Sequence, residues 1–330
     1  MLEVCNVSGP DDIYRTEHRL SRAIFTLQNN LEVVEENRNA ILDYVISMKA
    51  QGIKSIRLSK SIYMLRDMSN VIQIPFAIAT KQDIEYLMFT IEQRDYAFWT
   101  KSDYKIILKR FYKWLLGDDE TAPKIVSWIK VKDSKSNILP EELLTEEEVL
   151  RLVVNAKFTR DKAFIYLLYE SGARIGEMLT LKIKHITFGE KISSILVNGK
   201  TGQRRIPIIK SVPYLKEWIK EHPFGEDSES NVWCKMIRRN QQGRGPKEIP
   251  SYSVVRKTLN ETFKKSNIGK KSNPHLFRHS RATYLANHLT EAQLKQFFGW
   301  TQASDMASRY VHLSGRDLDS AILNLGGGIV

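Results

Sequence analysis

Cysteine is almost absent from this chain of 330 residues: Cys5 and Cys234 stand far apart and neither has a CxxC partner. Neither a disulfide framework nor a zinc site is supported by that pattern, and an intracellular, cytoplasmic protein is expected. Long apolar runs are missing too. No stretch of about 18 uncharged apolar residues occurs, so no membrane-spanning helix is expected. The stretch Met1 to Arg15 carries Glu3, Asp11 and Asp12 in place of the basic-then-apolar run of a signal peptide. Internal repeats and low-complexity tracts are also lacking.

Positive charge is abundant. The net charge is +12, with 42% hydrophobic and 27% charged residues, a composition of soluble globular proteins at a length that suits two domains. The charge is unevenly placed. From Asn231 to Thr290 thirteen Lys or Arg side chains are opposed only by Glu248 and Glu261. Such a density points to a polyanionic partner, nucleic acid, whose binding weakens with salt as counterions are released.

Apolar residues recur at helical spacing through the first third. Glu17 to Asn30 reads as a helix of unclear role. Ile41, Val45 and Met48 define a helix from Asn37 that stops at Gly52, and another runs from Ser59 to before Pro75. Ile84, Leu87, Met88 and Ile91 mark a third. Tyr104, Ile107, Leu108, Phe111 and Leu115 mark a fourth, starting near Thr100 and ending at Gly117. Four short amphipathic helices read as a compact helical domain. The polar, basic segment Lys130–Pro140 reads as a linker. Thr145-x-x-Glu148 is a capping box that opens a second domain. A helix over Asp161–Tyr169 then bends at Ser171-Gly172-Ala173-Arg174. From His185 to Ile209 the period becomes two, with Gly199-Lys200-Thr201-Gly202 as a hairpin tip. The rest, from Ser251 to Leu325, reads as mostly helical.

Four local patterns carry chemistry. They are Ala173-Arg174-Ile175-Gly176-Glu177; Lys200 within Gly199 to Pro207; His275-Leu276-Phe277-Arg278-His279-Ser280-Arg281; and Phe298-Gly299-Trp300 followed by Tyr310. In this order and spacing they resemble the catalytic domain of tyrosine recombinases, the phage integrase family, over about Leu144 to Leu325. The preceding helices resemble that family's core-binding domain. The resemblance implies a mainly α protein with a small antiparallel β-sheet, arranged as a two-domain, C-shaped DNA clamp. The expected division is 1–35 as an N-terminal extension, 36–129 as the core-binding domain, 130–143 as linker and 144–330 as the catalytic domain.

By that resemblance Tyr310 is the nucleophile, leaving a 3′-phosphotyrosine and a free 5′-hydroxyl. Arg174 and Arg278 hold the non-bridging oxygens, which planar guanidinium groups match in a bidentate way. Lys200 resembles the general acid, with Lys210 and the pair Arg204-Arg205 as competitors. His275 accepts the phenolic proton or hydrogen-bonds the phosphate. Trp300 stands where many members have histidine; its indole N–H can donate to a phosphate oxygen but cannot shuttle a proton. Glu177 is expected to orient Arg174 or a nearby histidine, and His279 is either a buttress or a satisfied core histidine. Arg204, Arg205, Arg238, Arg239, Arg244, Lys247 and Arg281 form the expected DNA-binding patch. No metal and no cofactor are expected, because the acidic residues near the motifs form no two-metal carboxylate cluster. The implied partners are double-stranded DNA and further copies of the chain, a tetramer at synapsis, with no membrane. A type IB topoisomerase and a catalytically silent DNA-binding regulator are the competing readings.

Overall fold

The computed structural model describes residues 12–117, 123–131, 139–199, 202–234 and 249–313. The chain divides into two compact units, Met1–Ser136 and Asn137–Val330.

The described part of the first unit is helical: α1 (Thr16–Gln28), α2 (Glu35–Ala50), α3 (Ser55–Ile72), α4 (Lys81–Gln93), α5 (Phe98–Leu115) and the short α6 (Lys124–Ser127). Each longer helix turns one apolar stripe inward, and the stripes meet in a single core that includes Ile41, Leu65, Leu87 and Phe111. α1 falls within the stretch 1–35 set apart as an extension, yet Leu20, Ala23, Ile24 and Leu27 belong to this same core, and α1 packs chiefly on α3. Asn37 is a buried polar member of the core. Its amide donates to Ser69 Oγ and Ile74 O, both at 2.8 Å, and its Oδ1 accepts from Phe76 N at 2.7 Å. Those bonds offset the cost of removing the amide from water.

The second unit opens with α7 (Glu146–Asn155). Its capping box forms as the sequence predicts, with Glu148 N donating to Thr145 Oγ1 at 3.2 Å and Thr145 N to Glu148 Oε2 at 2.9 Å. α8 (Thr159–Ser171) is buried at every position from Ala163 to Ser171, the pattern of a central helix surrounded by others. α7, α12 (Pro274–Ala286) and α10 (Val212–Glu221) pack around it. After the bend at Gly172 come α9 (Ile175–Leu179) and a three-stranded antiparallel sheet of β1 (Ile186–Thr187), β2 (Ser193–Gly199) and β3 (Gly202–Ile208). In the β2–β3 hairpin Ile195 faces Ile206 and Gly199 faces Gly202. Ile195, Val197, Ile206 and Ile208 are buried, whereas Ile192 and Ile209 lie beyond the strand ends and are more than half exposed. The hairpin tip, Lys200 and Thr201, lies outside the described residues. α11 (Tyr252–Lys265), α13 (Glu291–Phe298) and α14 (Met306–Leu313) complete the unit. Among the described residues no helix is long and apolar enough to cross a membrane.

Candidate active site

Three of the four motifs converge around the N-terminal half of α12. His275, Arg278 and His279 are spaced three and four apart, which puts them on one helix face. Pro274 starts the helix, and the Asn273 side chain caps it by accepting from His275 N at 2.9 Å. Arg278 is buried and forms no ion pair among the described residues. Its Nη1 donates to Gly172 O and its Nη2 to Phe298 O, both at 2.8 Å. Two backbone carbonyls from distant segments thus fix the plane of the guanidinium. Burial, with Arg174 nearby, pushes its pKa down to about 9. A buried guanidinium without an ion pair among the described residues has the charge and geometry to receive an anion. His275 sits at the exposed start of the helix; partial desolvation, then Arg278 and Arg174, push its pKa down.

Gly172 reaches this arrangement only as glycine. Its φ is +54°, and a Cβ there would lie 2.5 Å from the Phe298 ring. The close approach brings the α8–α9 corner against the end of α13, so one arginine can bond to both.

Arg174 caps α9 and is tied to Glu177. Glu177 Oε2 accepts from Arg174 N at 2.8 Å, and Oε1 accepts from Arg174 Nη1 at 2.9 Å. The same carboxylate takes a two-pronged contact from Arg204, Nη1 to Oε1 at 3.0 Å and Nη2 to Oε2 at 2.7 Å. Arg204 Nε donates to Phe297 O at 3.1 Å. Burial raises the Glu177 pKa, but the two guanidinium groups outweigh it and hold the carboxyl at about 2. Gly199 leaves room for this pair, since a Cβ there would overlap Glu177 Oε1. Of the two expectations for Glu177, the contact with Arg174 is the one formed; among the described residues no histidine hydrogen-bonds to it.

Tyr310 lies on α14, only 2% exposed. Its hydroxyl hydrogen-bonds His279 Nδ1, so His279 is partnered directly with the tyrosine. The Tyr310 ring stacks on Trp300, with centroids 5.4 Å apart and planes 4° from parallel, and Trp300 stacks on Phe298 at 4.8 Å. Arg278 lies over the Trp300 and Phe298 rings, 5.7 and 5.0 Å from their centroids. Gly299, at φ +62°, ends α13 and folds Trp300 back, so that Trp300 N donates to Lys295 O at 2.9 Å. The indole N–H has no protein partner among the described residues. Burial pushes the Tyr310 phenol pKa up, against the lowering effect of Arg278 and Arg309.

The expected DNA-binding patch divides. Arg204 departs from the expectation of an exposed patch: its side chain is 9% exposed and bonded to Glu177 and Phe297, because β3 turns it inward, where a carboxylate and a helix-end carbonyl satisfy it. Arg281 is half-buried, donating to Glu170 O at 3.0 Å and lying over Tyr169 and Tyr284. Arg205 is exposed, with Nε on Ser194 Oγ at 3.0 Å. Arg238, Arg239, Arg244 and Lys247, like Lys200, lie outside the described residues. Lys210, a competitor of Lys200, is paired with Glu146, whose hydrogen bond pushes the lysine pKa up. That makes it a poorer proton donor. Nothing local in the sequence marked Arg204 as a partner of Glu177, since their bond joins β3 to α9.

The phage integrase family matches residues 142–316. A tyrosine recombinase XerA of Pyrococcus horikoshii is 29% identical over 57% of this chain, and the aligned part is 60% of that relative's length. The structure of a XerH recombinase bound to its palindromic difH substrate after cleavage superposes with a TM-score of 0.62 at 18% identity, covering 96% of this chain and 98% of that one. A lambda integrase tetramer on a Holliday junction gives 0.63 at 17% identity, covering 85% and 79%. The chain belongs to the phage integrase family, the tyrosine recombinases, an enzyme class that breaks and rejoins DNA.

Proposed function

We propose that this chain is a site-specific DNA recombinase that cuts a strand by attack of the Tyr310 oxygen on a backbone phosphate. A phosphotyrosine bond at the 3′ end forms, the bond to the 5′ oxygen breaks, and attack by another 5′-hydroxyl reverses the step. The observation that carries the reading is the junction of Tyr310, Trp300 and Arg278. A tyrosine hydroxyl, an indole N–H and a buried guanidinium meet in one place, the last two without a hydrogen-bonded side-chain partner among the described residues. Arg278 and Arg174 are assigned to the non-bridging oxygens, where negative charge grows as the tyrosine attacks. Trp300 is assigned as a further donor to the phosphate, His275 to the mouth of the site, and Lys200 to protonation of the departing 5′ oxygen. Glu177 and Arg204 hold Arg174 in place.

The substrate is double-stranded DNA, bound by the helical unit, whose core takes in α1 as well as 36–129, and by the catalytic unit, 144–330, with 130–143 as linker. A tetramer on two DNA sites, acting in the cytoplasm at the nucleoid, is the working assembly. The lambda integrase tetramer on a Holliday junction supports that assembly by analogy of fold.

The test is a pool of nicked duplexes of randomised sequence, incubated with the full chain and run on a denaturing gel. The expected result is DNA linked to protein through its 3′ end, with one sequence enriched, and no adduct with Tyr310→Phe. Linkage through the 5′ end, or an adduct that survives Tyr310→Phe, overturns the reading.

A further inference from the structure

We propose that His279, and not His275, takes the proton from the Tyr310 hydroxyl as that oxygen attacks phosphorus. The inference rests on Tyr310 being the nucleophile and adds the identity of its base.

His279 Nδ1 is the group hydrogen-bonded to the phenol oxygen. The His275 imidazole has no hydrogen-bond partner among the described residues, and its ring centroid stands 6.4 Å from that of His279. A base must be within hydrogen-bond reach of the proton it removes, and among the described residues His279 is the histidine in that position. Its setting is rigid. The neighbouring Arg278 is fixed to Gly172 O and Phe298 O, and the phenol ring is fixed against Trp300. His275, exposed one turn earlier on the same helix, is left to face the incoming phosphate.

Protonation states agree with this geometry. Burial, then the repulsion of His275, Arg278 and Arg309, pushes the His279 pKa down to about 4, so the imidazole is neutral at neutral pH. Burial pushes the phenol up, so it keeps its proton. With the phenol as donor, Nδ1 is the acceptor and the imidazole proton sits on Nε2. The charged or titratable groups facing His279 are His275 and Arg278 on α12, and Arg309 and Tyr310 on α14. A bound phosphate offsets the positive charge of Arg278 and makes imidazolium formation easier. The base is therefore weak in the free protein and strengthened when DNA is in place.

The step balances. The phenol proton passes to His279 Nδ1, the Tyr310 oxygen–phosphorus bond forms, and the phosphorus–5′-oxygen bond breaks with a proton supplied by the general acid. Rejoining returns the proton from His279 to the phenol.

Two measurements test it, using the nicked duplex enriched from the random pool. In the first, His279→Gln keeps a polar side chain beside the phenol but no competent base, and cleavage is expected to fall by about 10²–10⁴-fold with DNA binding retained. Placing 2,3-difluorotyrosine at position 310 makes the phenol more acidic and should restore His279→Gln by about tenfold or more relative to its effect on the wild type, while His275→Gln gains little. Cleavage by His279→Gln near the wild-type rate, or equal rescue of both variants or of neither, overturns the proposal. In the second, nitrogen-15 spectra of histidine-labelled full chain should show His279 with an unprotonated Nδ1 at neutral pH; a proton on Nδ1 overturns it even if the variants fail to fold. An adduct that survives Tyr310→Phe removes the nucleophile assignment itself, an outcome distinct from either of these.

Discussion

The rings of Trp300 and Tyr310 lie face to face, 4° from parallel with centroids 5.4 Å apart, although they belong to the turn after α13 and to α14. Trp300 also stacks on Phe298 and lies under Arg278. The tryptophan therefore serves as a wall that sets the position of the Tyr310 ring, and in the proposed reaction it also offers its N–H to a phosphate.

That double duty separates two substitutions. Trp300→His keeps a planar ring and a donor, and substantial cleavage should remain. Trp300→Ala removes the donor and the wall, and should both lower cleavage further and cost about 2–3 kcal/mol of stability, below the range of a fully buried tryptophan because this one is half-buried. Adduct formation and urea midpoints measure the two effects. If histidine is as damaging to cleavage as alanine, the packing role is the larger one.

Acid should weaken the fold through Glu177. Its pKa is held at about 2, below the ordinary carboxyl value of 4.5, by Arg204 and Arg174. A depressed folded pKa stabilises fully above the unfolded value and is lost as pH falls through the folded one. The contribution of about 3 kcal/mol is thus expected to disappear between about pH 4.5 and pH 2. Denaturant unfolding of wild type and Glu177→Gln across that window should show a gap that narrows as pH falls. Arg204→Met leaves the buried carboxylate with Arg174 alone, and should cost about 3–5 kcal/mol at neutral pH and move the acid transition upward. A pH-independent gap between wild type and Glu177→Gln would show that the pair does not control this transition.

Salt dependence should distinguish the two neighbouring arginines. Arg205 is exposed and Arg204 is enclosed. Arg205→Ala is expected to reduce the slope of log affinity against log salt by about 0.9, the value for one phosphate contact. Arg204→Lys should leave that slope unchanged. A reduced slope for Arg204→Lys would return Arg204 to the DNA surface.

Lys200 can be tested as the general acid without reference to its position. Lys200→Ala should slow cleavage by about 10²–10⁴-fold. A 5′-bridging sulfur leaves readily without a proton, so it should restore Lys200→Ala selectively. Arg278→Ala should gain much less, because its defect lies at the non-bridging oxygens. Equal rescue of both, or of neither, would take the role from Lys200. Lys210, whose proton is held by Glu146, would then be a weaker successor than His275.

The sequence by itself determined the helical stripes, the capping box at Thr145, the β2–β3 hairpin and the order of the chemical motifs. These are local: helix and strand periods, caps and turns depend on neighbours a few residues away. His275, Arg278 and His279 could be put on one face for the same reason. Which partner each side chain meets was decided by the tertiary structure. Arg204 and Arg205 are adjacent and alike in charge, but strand alternation turns one toward Glu177 and the other outward. Likewise His275 and His279 are equivalent candidates by residue type, and only the packing of α14 against α12 puts the Tyr310 hydroxyl on His279. A hydrogen bond between residues 31 apart depends on how two helices pack, and no local pattern records it.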